Sequence, residues 1–246
     1  MKLDDLTVVV PTRNEQNNIL PFLRSLPVEL PLIVVDDSQD ATRDLIEQHR
    51  PRQTLILHQP CTVTEARQIG AEVAQTAWLL FTDADIVFPP NYFARLAHYR
   101  GYSAVYGPKL STDEFVTYYR WFARGQHLCH KLGIPAATGS NLLVNRHTFS
   151  IIGGFDLQLS CNEDSELVWR VKRFGYSVFF DPDLVVYALD HRRLRYGLIR
   201  KTAHSVLRSF LLYYNLIPTR WRSHDWGYWS HRHNIDKSGA QAPAKG

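Results

Sequence analysis

Residues Leu79–Pro90 read LLFTDADIVFPP. An apolar run of strand length delivers Asp83 and Asp85, one small residue apart, and then meets two prolines. Proline has no N–H for a ladder, so the strand must stop there. Burying two neighbouring carboxylates without partners adds like-charge repulsion to the cost of desolvation. The pair need not be buried in the strand: it fits the lip of a sheet, facing a cleft, and equally a surface turn that happens to hold two acids.

Working outward, the first half of the chain alternates strand and helix signals. Apolar runs occur at Leu6–Pro11, Leu32–Val35, Thr54–Leu57 and Ala77–Thr82. Helical spacing separates them at Asn17–Leu26, from a cap at Asp40 through Glu47, and at Thr64–Gln75. Continuous rather than alternating apolar runs predict strands covered on both faces, as in a parallel sheet with crossover helices. The second half predicts strands at Ser103–Tyr106, Asn141–Val144, Ser177–Phe180 and Leu184–Ala188. Helices are expected at Asp113–Leu132, at Glu163–Phe174 with Gly175 closing it, and at Arg195–Tyr214. The fold class is α/β, a mixed and mainly parallel sheet flanked by helices.

The 246 residues are 45% hydrophobic and 21% charged, enough for one α/β domain with a sizeable core. A net charge of +4 is too mild to argue for nucleic acid as a partner. Three scattered cysteines, Cys61, Cys129 and Cys161, fit neither a disulfide framework nor a zinc site and suggest a reducing compartment. MKLDDL has no signal-peptide pattern and no run reaches the ~18 apolar residues of a membrane span. A cytoplasmic protein is expected, with peripheral contact to a membrane left open. The basic, aromatic stretch 191–222 supports either that contact or packing on the core. The polar end, 223–246, reads as a disordered tail.

Open parallel sheets bind ligands at the carboxyl ends of their strands. PTRNE, DDSQD, TDAD and Gly139-Ser140 all fall at or beside such ends. A DxD pair there suits Mg²⁺ or Mn²⁺, which take carboxylate oxygens together with substrate phosphates. An Asp closing the second strand can accept a base N–H or a ribose hydroxyl, or cap the next helix. Arg67, near the start of a helix, can face a nucleotide or solvent. Glu163 and Asp164 begin a helix, where the macrodipole favours acids in any case. His191 is either an additional metal ligand or a structural histidine.

Taken in order, PTRNE, VVDDSQD, EARQIGAEVAQTAWLLFTDAD, ATGSNLLVNR, GGFD and NEDSELVWRVKRFGY resemble glycosyltransferase family 2 over residues 6–190. DADIVFPPNYF is also similar to the polyprenyl-phosphate sugar transferases of that family. The resemblance implies a GT-A fold and an inverting, metal-dependent transferase acting on a UDP- or GDP-sugar. It implies a glycan, lipid-linked or small-molecule acceptor. Pro11, Thr12 and Glu15 would line the base and ribose pocket. Asp37, with Asp36, would contact the base, assisted by Arg67. Asp83 would touch ribose or metal, Asp85 would ligate the metal, and Asp164, paired with Glu163, would be the general base. Gly139 and Ser140 would border the donor sugar or acceptor. Arg13 departs from the aromatic that many members carry, which leaves the base open. The expected division is a catalytic domain over 1–190, a helical extension over 191–222 and the tail. A nucleotidyltransferase would share strand-end acids and a metal, but PTRNEQNN lacks the glycine-rich loop it needs. A non-catalytic nucleotide-sugar-binding subunit would not need both DAD and ED.

Overall fold

The computed structural model describes residues 2–195 and 198–222. Strands β1 (Leu6–Thr12), β2 (Leu32–Asp36), β3 (Thr54–His58) and β4 (Trp78–Thr82) are linked by helices α1 (Ile19–Arg24), α2 (Thr42–His49) and α3 (Val63–Val73). The two-residue strand β5 (Ile86–Val87) precedes β6 (Ala104–Tyr106) and the equally short β7 (Lys109–Leu110). Helix α4 (Val116–Lys131) leads to β8 (Asn141–Asn145), α5 (Arg146–Ile151), α6 (Glu163–Arg173), β9 (Val178–Phe180) and β10 (Val186–Ala188). Helices α7 (Arg192–Arg195), α8 (Leu198–Tyr213) and α9 (Thr219–Arg222) close the described chain.

Seven strands form one sheet in the order β3-β2-β1-β4-β8-β6-β9, and β5-β10-β7 form a small second sheet. Pairing in the first sheet is parallel except at β8, which runs antiparallel to both β4 and β6. Period-2 alternation divides the large sheet's side chains between two cores. Val8, Val10, Val34 and Leu80 pack on one face with Ile19, Phe22 and Ile46. Val9, Val35, Leu79 and Phe81 pack on the other with Ala66, Leu167 and Val171. Helix α3 lies so close to β1 that a Cβ on Gly70 would sit 2.4 Å from Val9 Cγ1.

The expected fold class is the observed one. The small sheet was not predicted, because two-residue strands carry no readable period. The helix expected over Arg195–Tyr214 is observed as α8, preceded by the short α7. The tail 223–246 lies outside the described residues. Among the described residues, no helix is long and apolar enough to cross a membrane.

Candidate active site

The sheet order places the carboxyl ends of β2, β1 and β4 side by side. Antiparallel pairing of β4 with β8 sets Thr82 opposite Asn141. That register brings Ser140, just before β8, against Asp83, just after β4. Thr82 Oγ1 donates to the Ser140 carbonyl at 2.9 Å and Ser140 Oγ donates to Asp83 Oδ2 at 2.5 Å.

Arg67 is the hub of this corner. Only 3% exposed, it donates through one terminal nitrogen to Asp83 Oδ1 (2.7 Å) and through the other to Glu163 Oε1. Burial leaves no room for the solvated surface arginine that the sequence allowed. A Cβ on Gly139 would lie 2.3 Å from the guanidinium, so only glycine lets the backbone pass. Gly139→Ala is expected to push Arg67 off one of its carboxylates and lower stability by about 1–3 kcal/mol. Gly125→Ala, in mid α4 with nothing within 4 Å of the added carbon, should instead gain about 0.5–1 kcal/mol. Thermal unfolding of the two variants checks the contrast; equal behaviour would refute the packing argument.

The chain turns through a left-handed conformation at Asn162 (φ 63°) and starts α6 with Glu163 and Asp164. Asp164 accepts N–H bonds from Gly139 to Oδ2 and from Ser165 to Oδ1, both at 2.6 Å. Burial, then the neighbouring Glu163 charge, push its carboxyl up to about 7 against the pull of Arg67 and the two N–H groups. A carboxyl tuned to neutrality is the form a general base takes. Glu166 is bound to Arg170 one turn on, at 2.6 and 2.7 Å, and is a helix-stabilising charge.

A second cluster surrounds Asp85. Lys109 Nζ stands 3.0 Å from Asp85 Oδ1, and the Leu189 N–H donates to the Asp85 carbonyl at 2.8 Å. The latter bond draws Asp190 and Arg192 toward the strand ends, where Arg192 reaches Glu15 at 3.2 Å. Burial raises the Glu15 carboxyl; the Asn18 hydrogen bond and then Arg192 oppose that, while Asp85 and Asp190 add to it. Lys109, Asp190 and Arg192 were not picked out as site residues in the sequence, because their place depends on pairings of the small sheet.

Asp36, Thr12 and His191 have their polar side-chain atoms engaged within the protein. Asp36 is fully buried: Thr12 Oγ1 donates to its Oδ1 at 2.7 Å and His58 Nδ1 lies 3.2 Å from Oδ2. Thr12 and His58 are its cross-strand partners in register, so Asp36 and the Thr12 side chain are spent inside the sheet. Asp37, one residue later, is the acid that reaches the surface, near Arg13 at 3.6 Å, while its N–H is held by the Thr12 carbonyl at 2.9 Å. His191 has partners other than Asp85. It is 2% exposed, with Nδ1 at Tyr119 Oη (3.2 Å) and Nε2 at Asp113 (2.9 Å), so both ring nitrogens are engaged elsewhere. Pro11, at the end of β1, is paired with Val35 and lies beside the cleft by backbone position alone.

The donor set fits a hard divalent cation in one way. Asp83 and Asp85 are exposed to a similar degree; Asp83 is engaged at both oxygens by Arg67 and Ser140, whereas Asp85 has Lys109 beside its Oδ1. Among the described residues no group of three His, Cys, Asp or Glu is placed to hold an ion alone. One carboxylate plus phosphate oxygens from a substrate is an ordinary Mg²⁺ arrangement.

The sequence profile of Glycosyl transferase family 2 matches residues 7–151. The succinoglycan biosynthesis protein ExoA of Rhizobium meliloti is 28% identical over 218 residues, spanning 76% of this chain and 66% of that protein. A pre-mycofactocin glycosyltransferase of Mycobacterium tuberculosis is 27% identical over 216 residues, 80% of this chain and 45% of the relative. The chain thus spans less than two thirds of the length of these relatives. Among solved structures, the mannosyltransferase PcManGT of Pyrobaculum calidifontis, in complex with GDP-Man and Mn²⁺, superposes with TM-score 0.69 at 17% identity, covering 98% of this chain and 76% of that one. TarS of S. aureus, in complex with UDP-GlcNAc, gives 0.61 at 16%, covering 78% and 59%. These structures share the fold seen here, and the profile covers more than half of the chain: the protein belongs to glycosyltransferase family 2, with a GT-A fold.

Proposed function

We propose that this glycosyltransferase moves a sugar, with inversion, from a UDP- or GDP-sugar to a hydroxyl of a glycan or lipid-linked acceptor. The observation that carries the reading is Asp164, a carboxyl tuned to neutrality and held by Gly139 at the corner where β4, β8 and α6 meet. It would take the proton from the acceptor hydroxyl as that oxygen attacks the anomeric carbon. Direct attack from the face opposite the leaving diphosphate inverts the anomeric centre.

Asp37, beside Arg13, would meet the base, with Pro11 and Glu15 bordering the ribose side. Asp83 would orient the donor from its fixed place between Arg67 and Ser140. Arg67 is a positioning residue, since it ties β4 to the start of α6. Asp85 would hold Mg²⁺ or Mn²⁺ together with the donor's phosphates. When bound, the ion neutralises the leaving diphosphate. Lys109 and Arg192 add positive charge on the same side. We read residues 1–190 as the catalytic unit and 191–222 as its helical extension.

A screen of nucleotide sugars with Mn²⁺ by thermal shift tests the reading. The true donor at about a hundredfold over its Kd stabilises the folded state by about 2.7 kcal/mol, or roughly 5–10 °C. No shift with any UDP- or GDP-sugar would refute the donor class.

A further inference from the structure

The net charge of +4 is unevenly placed along the chain. No Asp or Glu occurs between Glu114 and Asp156, nor from His191 through Arg222. The first gap contains α4 and the second contains α8 and α9. Both helices also carry the large apolar side chains that the core does not take. On α4 and the residue that caps it, Trp121, Leu128 and Leu132 are 65%, 58% and 69% exposed. At about 100° per residue they fall on one side of the helix, with Gly125 between them. Arg120, Arg124 and Lys131 are exposed on the same helix, and the Arg124 guanidinium lies 5.3 Å over the Trp121 ring. On α8, Val206 and Phe210 are 61% and 54% exposed, one turn apart, and Trp221 in α9 is 51% exposed.

The two helices meet where Thr202 Oγ1 donates to Tyr118 Oη at 3.3 Å. The opposite face of α4 packs on the rest of the protein, through Tyr119 on His191 at one end and Gln126 on the Ala136 carbonyl at the other. Scattered exposed apolar residues are ordinary; on α4 three of them share one side of a helix whose own exposed charges are Arg120, Arg124 and Lys131, the acids just before it, Asp113 and Glu114, being held by His191 and Arg195. Aromatic and aliphatic side chains flanked by Arg and Lys suit the boundary between lipid headgroups and acyl chains.

We infer that the exposed side of α4, with Trp121, Leu128 and Leu132 among Arg120, Arg124 and Lys131, is a docking surface for an anionic membrane, lying in the headgroup region and joined by the exposed apolar residues of α8. The surface stands on residues that the transfer chemistry does not use. It extends membrane contact from the C-terminal segment to a helix within the catalytic unit.

Flotation of the full chain with vesicles of phosphatidylcholine, with and without about 30% phosphatidylglycerol, tests it. The protein should bind the anionic vesicles about tenfold more at low salt, and the difference should shrink at high salt. The combined change Trp121→Ser, Leu128→Ser and Leu132→Ser should cut binding about tenfold, and Arg120→Glu with Arg124→Glu should abolish the anionic preference. Equal flotation with both vesicle types, or unchanged binding by the serine variant, would overturn the proposal. So would a dimer on size exclusion that the serine variant dissolves while no vesicle binding is seen. Retention of the donor thermal shift shows that the variants still fold. It also separates a failure of docking from a failure of the transferase reading, which would show as no donor shift in the parent chain.

Discussion

Asp164→Asn should lower turnover by about 10²–10⁴-fold, the range for removing a positioned general base, and leave donor affinity within a few-fold. Asparagine keeps the length of the side chain but cannot take the acceptor's proton. The sign of the pH dependence follows from the same residue. Burial and Glu163 push the Asp164 carboxyl up to about 7. Below that value the carboxyl is protonated and idle, so kcat should fall about tenfold per pH unit toward acid and level off above about pH 8. An ordinary carboxylate would place the same rise near pH 4. The asparagine amide also presents N–H where Gly139 or Ser165 already donates, and that conflict should destabilise the fold by about 1–3 kcal/mol. Thermal unfolding therefore accompanies the kinetics. A variant turning over within a few-fold of the parent, with the same acid limb, would remove Asp164 from the mechanism.

Asp85→Asn carries the second large effect. The change should cost about 10²-fold or more in kcat/KM, the order expected when a group stabilising developing charge is lost. Donor-dependent thermal stabilisation should then no longer respond to Mn²⁺ over the range that saturates the parent. Asp83→Asn provides the contrast. Its carboxylate is shared between Arg67 and Ser140, and Arg67 is buried. Losing it should appear first as a loss of stability of up to about 3 kcal/mol, with the metal titration little moved. Two aspartates one residue apart would thus fail differently. If Asp85→Asn retains the parent's Mn²⁺ response, the metal is held elsewhere.

Much of the corner around Asp83 was legible in the sequence because each part has a local cause. Prolines after DAD stop the strand, glycine at 139 permits close backbone approach, and the acids of NED fall at a helix start. Arg67 was noticed but its environment was not. A helix position says which residue it is, while the identity of its partners, sixteen and ninety-six residues away, comes from the pairing of β4 with β8 and the entry of α6. Asp36 and Asp37 show the same limit at its smallest scale. Adjacent strand-end acids are equivalent in a sequence, and the alternation of the pleat sends one to its cross-strand partners and the other to the surface.

The sequence by itself determined the α/β class, the mainly parallel sheet with both faces covered, and the family to which the chain belongs. Runs, caps and breakers are local, and an ordered set of short motifs survives without coordinates. The tertiary structure decided which of the named acids are available for chemistry. It buried Asp36, turned His191 toward Tyr119 and Asp113, placed Lys109 against Asp85, and gave Asp164 its neutral-range carboxyl. Availability depends on desolvation and on which distant groups fill a carboxylate's lone pairs. Both are properties of strand register and helix packing, which no local stretch encodes.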